Sequence, residues 1–270
     1  MRKFQIALLM LHSTWAADIL DFPQNIERVI INIGPNTAPA LPAPQDLHNT
    51  VAIAFEPIVG CKIRNQDGLH IVHAAVSSKT SLQFMGVFNV DGLSSSLAAP
   101  STPATWNFGK NKHARRLVPV LGIDLVLMSL SIDVELWYLK TDMQGFDFDT
   151  LKGGGVLITR AHYVLSEVWW NKVRTYEGVD NDFCVNQYPL MTKLGFELIK
   201  TEGGYRQAGL GARGINILNG KTHEEIIEIC ASQHGTSYSV GANEGDAFWK
   251  RKGTTLPEPR WREKKENPGT

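Results

Sequence analysis

The sequence predicts an α/β fold built on a mostly parallel sheet. Its apolar runs are short, rich in Val and Ile, and bounded by Gly, Pro, Asn or Asp. Between several of them lie segments long enough to cross over as helices or long loops, an alternation that argues for α/β rather than a sandwich. Polar residues gather just after the runs, where ligands collect in sheets of this kind.

In chain order the runs are "RVIINI", "VAIAF", "LHIVHAAV", "RLVPVLGI", "LWYLKT", "HYVLSEV" and "GFELIK". The first leads into "NIGPNTAP", which places Asn32, Gly34 and Asn36 at a turn where a glycine lets backbone approach a ligand. The second ends at Glu56, the position from which a carboxylate accepts hydrogen bonds from ribose hydroxyls in nucleotide-binding βαβ units. The third ends in small residues including Ala75. Ser94, Ser95 and Ser96 follow "VFNVDG" and are read first as a turn. After the fifth run come Asp142, Gln144 and a Gly145 that allows a sharp bend, and the sixth carries Glu167 near its end. Glu56, Asp142 and Glu167 thus form a constellation of strand-end acids.

At 270 residues the chain is long enough for one large domain with a substantial core. It carries 27 Lys plus Arg against 27 Asp plus Glu, so no global field recruits nucleic acid or acidic lipid, and a small or neutral partner is expected. The 3 cysteines, Cys61, Cys184 and Cys230, have no CxxC spacing and argue against a disulfide framework, leaving the core to carry stability. Residues 1–24 form an N-terminal segment with two readings. Its basic start, the apolar run from Phe4 to Leu11, and Ala16–Ala17 follow signal-peptide grammar, whereas the same residues could pack as a helix. The run is too short for a stable membrane span. Cleavage after residue 17 would place the protein in the secretory pathway or outside the cell; otherwise it is expected in the cytoplasm. Residues 25–250 read as one domain with an insertion at 203–245, a lid or an appendage, and 251–270 as a disordered charged tail.

The pieces "INIGPN", "AFEP", "AAVSS", "SSSL", "VPVLGIDL", "LKTDMQGFDFDTLKGG", "VLSEVWW" and "LGFELI" occur in the order found in FkbM-type S-adenosylmethionine-dependent methyltransferases, and the chain resembles that family from about Arg28 to Lys200. The resemblance implies a Rossmann-like class I methyltransferase sheet of seven strands, the last antiparallel, with helices on both faces. It further implies S-adenosylmethionine as cofactor and O-methylation of a hydroxyl on a small-molecule or carbohydrate-like acceptor. Carried over by position, Asn32, Gly34, Asn36, Glu56, Ala75 and Asp142 are the implied cofactor-binding residues, and Asp142, Gln144 and Glu167 the implied catalytic ones. No metal is implied.

Two departures stand out. Asn32 replaces the family's usual Asp and Ala38 a second glycine, and Pro35, Pro39, Pro42 and Pro44 crowd the segment where the first crossover helix belongs. Proline removes a donor and clashes with the preceding helical turn, so a loop is expected there. Loss of that helix N-terminus removes free N–H groups suited to an anion. An inactive, methyltransferase-like binding or scaffold protein is therefore the rival reading, and a nicotinamide-dependent oxidoreductase a second.

Methyl transfer needs mainly a nucleophile held in line with the methyl carbon. A hydroxyl acceptor benefits from a general base, for which Asp142, Glu167 and, third, His162 are candidates. Trp169 and Trp170 could line the acceptor pocket, one of them being favoured. "GLGARG" (209–214) spells a dinucleotide fingerprint but lacks a preceding strand. His223, Cys230 and His234 lack a fourth metal ligand, and His70 and His73 fall on opposite faces of a strand.

Overall fold

The computed structural model describes residues 22–59, 63, 66–87, 95–99, 114–170, 175–203, 214–233 and 244–259. The elements are β1 (Arg28–Ile33), β2 (Thr50–Phe55), β3 (Leu69–Val72), β4 (Ala75–Ser77), β5 (Ser81–Val87), β6 (Ala114–Gly122), α1 (Ile123–Met128), β7 (Glu135–Thr141), α2 (Asp147–Gly154), β8 (Tyr163–Trp169), α3 (Tyr188–Lys193), β9 (Phe196–Gly203), α4 (His223–Ala231) and β10 (Glu244–Arg251).

Seven strands form the main sheet in the order β3-β2-β1-β7-β8-β10-β9. β1 is parallel to β2 and β7, β2 to β3, and β7 to β8. β10, the last strand, runs antiparallel to both of its neighbours. This is the expected seven-stranded, mostly parallel sheet. The chain winds outward from β1 to β3 and then returns to β7 on the other side of β1, which makes the gap above β1 and β7 the topological switch point.

β1 and β2 read as near-continuous apolar runs because nearly every residue in them is buried, as strands covered on both faces require. On one face Val29, Ile31, Ile53, Leu139, Val164 and Trp249 join apolar residues of all four described α-helices in the largest core cluster. On the other face Ile30, Ala52, Tyr138, Tyr163 and Phe248 pack with Leu41 of the β1–β2 connection and Leu256 beyond β10.

Two apolar runs depart from a simple strand-by-strand reading. "LHIVHAAV" divides at His73–Ala74, where the Ala74 N–H turns back to the Val72 carbonyl, and its halves enter different sheets as β3 and β4. "RLVPVLGI" contributes β6 to a second sheet of order β4-β6-β5. β10 supplies the seventh strand of the main sheet instead.

As the prolines predict, the β1–β2 connection contains no α-helix, only a 3-10 turn at Pro44–Asp46. Asn32 holds the segment down: its amide donates to the Ala40 carbonyl at 3.0 Å and accepts from the Ala40 N–H at 2.6 Å.

The expectation of a disordered tail from 251 is corrected up to residue 259. Trp137 Nε1 donates to the Pro257 carbonyl and the Tyr163 hydroxyl to the Leu256 carbonyl, so buried aromatic donors recruit this stretch as their acceptor. The cysteine reading is corrected as well, because Cys184 and Cys230 form a disulfide with Cα atoms 5.3 Å apart. Sequence spacing gave no sign of it, since the pairing depends on α4 folding back against the turn before α3.

Of the insertion, 204–213 and 234–243 lie outside the described residues, and with them most of "GLGARG" and His234. The described part packs into the main core through Ile215, Leu218 and Ile226, and α4 is opened by a capping box between Thr222 and Glu225. The N-terminal readings fall on residues 1–21, outside the described chain, as do Cys61, Ser94 and residues 260–270. No described helix is long and apolar enough to cross a membrane.

The disulfide closes a loop of sequence separation 46, for which chain entropy gives about 2–4 kcal/mol. Cys184→Ser should lower the unfolding free energy by about that much, read by urea denaturation without reductant; added reductant should bring the unsubstituted chain to the same midpoint.

Candidate active site

The carboxyl ends of β1, β2 and β7 are bound together at the switch point. Gly34 N–H donates to the Phe55 carbonyl, and Asp142 N–H to the Ile33 carbonyl, each at 3.0 Å. Gly34 has φ +70°, and a Cβ there would lie 2.2 Å from the Asp142 carbonyl oxygen, so only glycine permits this approach. Asn36 and Gln144 also take positive φ, 49° and 52°. Such backbone is costly for residues with a side chain and collects at functional sites.

Above this junction lies a cleft of about 510 Å³ counted to its open mouth, of which about 50 Å³ is enclosed space. Gly34, Asn36, Glu56, Ala75, Asp142 and Gln144 all line it. Most of it is a narrow slot, so a nucleoside enters only if the walls part. Ser95 and Ser96, read from sequence as a turn, line it too, and the Ser96 hydroxyl donates to the Gln144 carbonyl at 2.9 Å. Ile58, Met85, Leu97 and Phe146 supply apolar wall.

Glu56 is only 4% exposed. Its two carboxylate oxygens accept from the N–H groups of Asn36 at 3.0 Å and Ile58 at 2.9 Å. Burial pushes its pKa up, and those two N–H groups oppose the rise. Each oxygen retains a lone pair for a further donor.

The β7 turn is organised by Gln144. Its Nε2 donates to Asp142 Oδ1 at 3.2 Å and reaches the Glu167 oxygens at 3.4 and 3.5 Å, while its Oε1 accepts from the Tyr176 hydroxyl at 2.9 Å. Gly145 follows at φ +101°, where a Cβ would press on Trp169. Asp147, fully buried, accepts from the Met143 N–H and is raised to about 7 by burial.

Sheet register explains the electrostatics. Thr141 pairs with Ser166, Glu167 with Asp246, and Asp246 with Glu202, so Asp142, Glu167, Asp246 and Glu202 stand in one row across four strands. The outer acids have lysines: Lys140 lies 3.8 Å from Asp142 and Lys200 2.9 Å from Glu202. Glu167 and Asp246 face each other directly, an arrangement that disfavours ionising both. Burial first, then Asp142, holds Glu167 well above the carboxylate range; the same two causes raise Asp246 to about 6. Glu244 is raised to about 7, chiefly by burial, although the Thr175 hydroxyl donates to it.

Several expected residues sit elsewhere. Asn32 lies below the cleft with its amide committed to Ala40. Glu167 does not line the cleft and connects to it through Gln144. Neither tryptophan lines it: Trp169 stacks on Tyr176, and Trp170 packs with Phe183 in the core. His162 immediately precedes β8, at the opposite end of the sheet from the cleft, where it bonds Glu135 and Thr254. Cys230 is oxidised, and His223 Nδ1 pairs with the Tyr188 hydroxyl at 2.6 Å; no metal-binding group of acids, histidines and cysteines exists among the described residues. Tyr176, Glu244 and Asp246 escaped sequence reading because only cross-strand register and a distant loop bring them to the turn.

No protein-family model matches the chain, and neither does any curated protein. Among solved structures it is similar to the crystal structure of Methyltransferase FkbM from Methylobacillus flagellatus KT, at 14% identity and a TM-score of 0.29, over 58% of this chain and 37% of that one. The chain therefore spans little more than a third of that protein's length.

Glu244 titrates near 4.5 when unfolded and near 7 when folded. Between those values the folded chain holds the extra proton, so stability falls as pH rises, by on the order of 3 kcal/mol in all. Glu244→Gln keeps an acceptor for Thr175 and should make the decline between pH 5 and 8 shallower, leaving the share of Asp147, Asp246 and Glu167, measured by urea unfolding across that range.

Proposed function

We propose that the chain is an S-adenosylmethionine-dependent methyltransferase acting on a hydroxyl of a sugar, lipid or small natural product. The observation that carries this reading is the meeting, in one cleft at the switch point, of the Gly34–Asn36 turn, the buried Glu56 carboxylate and the Asp142–Gln144 turn.

The residues present fit the cofactor. Glu56 has lone pairs left to accept from ribose hydroxyls while two backbone N–H groups hold its carboxylate. Gly34 leaves backbone open beside it, while Ile58, Met85 and Leu97 offer an apolar slot for a base. Asp142 suits the sulfonium charge that S-adenosylmethionine carries and S-adenosylhomocysteine lacks. When bound, S-adenosylmethionine supplies an electrophilic methyl group. The chain's own contribution is to position the acceptor and to accept its proton, for which Asp142, lining the cleft, is the candidate. Glu167 acts at one remove, holding Gln144 and through it the Asp142 carboxylate.

One observation favours a second reading, a binding or scaffold protein without activity: the β1–β2 connection has no α-helix whose N-terminus could face an anionic group. The Cys184–Cys230 disulfide supports the secretory reading of the N-terminus, since such bonds persist in oxidising compartments.

Titration of variants with S-adenosylhomocysteine separates the proposed roles. Glu56→Ala removes a charged hydrogen-bond acceptor and should weaken binding at least about tenfold, whereas Asp142→Asn should bind nearly normally and slow transfer once an acceptor is found. Equal loss of binding in both would contradict the assignment.

A further inference from the structure

Gln144 is braced at both of its ends. Its main chain turns at positive φ, and its carbonyl accepts from the Ser96 hydroxyl at 2.9 Å. Its side chain needs a separate anchor, because several rotatable bonds lie between backbone and amide and a free glutamine samples many rotamers. The contacts to the acids are at or beyond the long end of the usual range: Nε2 lies 3.2 Å from Asp142 Oδ1 and 3.4 and 3.5 Å from the Glu167 oxygens. The shortest bond of the amide is the one that Oε1 accepts from the Tyr176 hydroxyl, at 2.9 Å.

Tyr176 is well placed to be that anchor. It is fully buried, and its ring stacks on Trp169. A Cβ on Gly145 would lie 3.2 Å from the same ring, so the turn after β7 closes directly onto it. Its chain neighbours are committed as well: the Thr175 hydroxyl donates to Glu244, and the Glu177 N–H to the Ala99 carbonyl. Burial first, then the Glu167 charge, pushes the Tyr176 pKa up, so the hydroxyl keeps its proton and remains a donor. With its oxygen end engaged there, the amide turns its N–H bonds to Asp142 and Glu167. Asp142 is then braced at Oδ1 by Gln144 and beside Oδ2 by Lys140.

We propose that Tyr176 is a positioning residue that, through the Gln144 amide, holds the Asp142 carboxylate where a sulfonium would meet it. Tyr176 lies outside the cleft lining, whereas Gln144 and Asp142 are part of it. Its effect falls on one property, the affinity for S-adenosylmethionine relative to S-adenosylhomocysteine, since only the first carries the charge that Asp142 answers. The proposal rests on the methyl-transfer reading.

Calorimetric titration with both compounds tests it in the parent chain, Tyr176→Phe, Gln144→Met and the double variant, each checked for cooperative urea unfolding. Tyr176→Phe removes the hydroxyl and keeps the ring on Trp169. S-adenosylhomocysteine should therefore bind as in the parent, while the affinity ratio of S-adenosylmethionine to S-adenosylhomocysteine falls about fivefold, the worth of one hydrogen bond. Gln144→Met should lower the ratio at least as far. Adding Tyr176→Phe to it should lower the ratio no further, because the hydroxyl acts only through that amide. A parent-like ratio in Tyr176→Phe, equal loss of both compounds, or a further fall in the double variant would overturn the proposal. So would an unchanged ratio in Gln144→Met, which leaves Tyr176 packed. Those outcomes leave the methyl-transfer reading standing, whereas binding of neither compound by the parent chain would overturn that reading and the proposal with it.

Discussion

The close approach of Gly34 to the Asp142 carbonyl is the contact on which the site depends. It brings the turn after β1 against the turn after β7, backbone to backbone, with no space for a Cβ. Without it, the Ile33 carbonyl could not accept the Asp142 N–H, and the ends of the two strands would separate. Glu56 then fastens the third strand end, since its carboxylate spans the N–H groups of Asn36 and Ile58. Positive φ at Asn36 and Gln144 is sustained by this cross-bracing. A cleft between parallel strands needs a rigid floor, and here the floor is made of main chain.

On that floor the chain concentrates negative charge. Lysines neutralise the outer acids of the cross-strand row, while Glu167 and Asp246 are left facing each other in low dielectric. Gln144 separates Asp142 from Glu167 by donating to both. The geometry keeps Asp142 accessible at the cleft, while burial and the Asp142 charge push the Glu167 pKa up behind it, so two carboxylates acquire different environments. Stability is given up at neutral pH to hold this arrangement.

Much of the frame was legible in the sequence because it rests on local signals. Short apolar runs marked β1, β2, β7, β8 and β9, the prolines announced the missing crossover helix, and the strand-end rule singled out Glu56 and Asp142. What escaped depends on contacts distant in sequence. Cys184 and Cys230 carry no spacing signal, and the stretch to residue 259 is ordered by Trp137 and Tyr163, more than ninety residues away. β6 has the composition of a core strand yet joins a smaller sheet, with Leu117 exposed. Trp169 and Trp170 sit beside an acid of the site but point into packing, which proximity in sequence cannot reveal. Asn32, expected among the cofactor-binding residues, instead holds the proline segment through Ala40, which only its partners disclose.

The central claim is that the cleft above β1, β2 and β7 holds a nucleoside cofactor of the S-adenosylmethionine type. Calorimetric titration of the purified chain with S-adenosylhomocysteine, and separately with NAD, tests it most directly. Binding of the first alone at micromolar strength, about −8 kcal/mol, is the result predicted. Binding of neither by a chain that still unfolds cooperatively would contradict the claim and favour the scaffold reading.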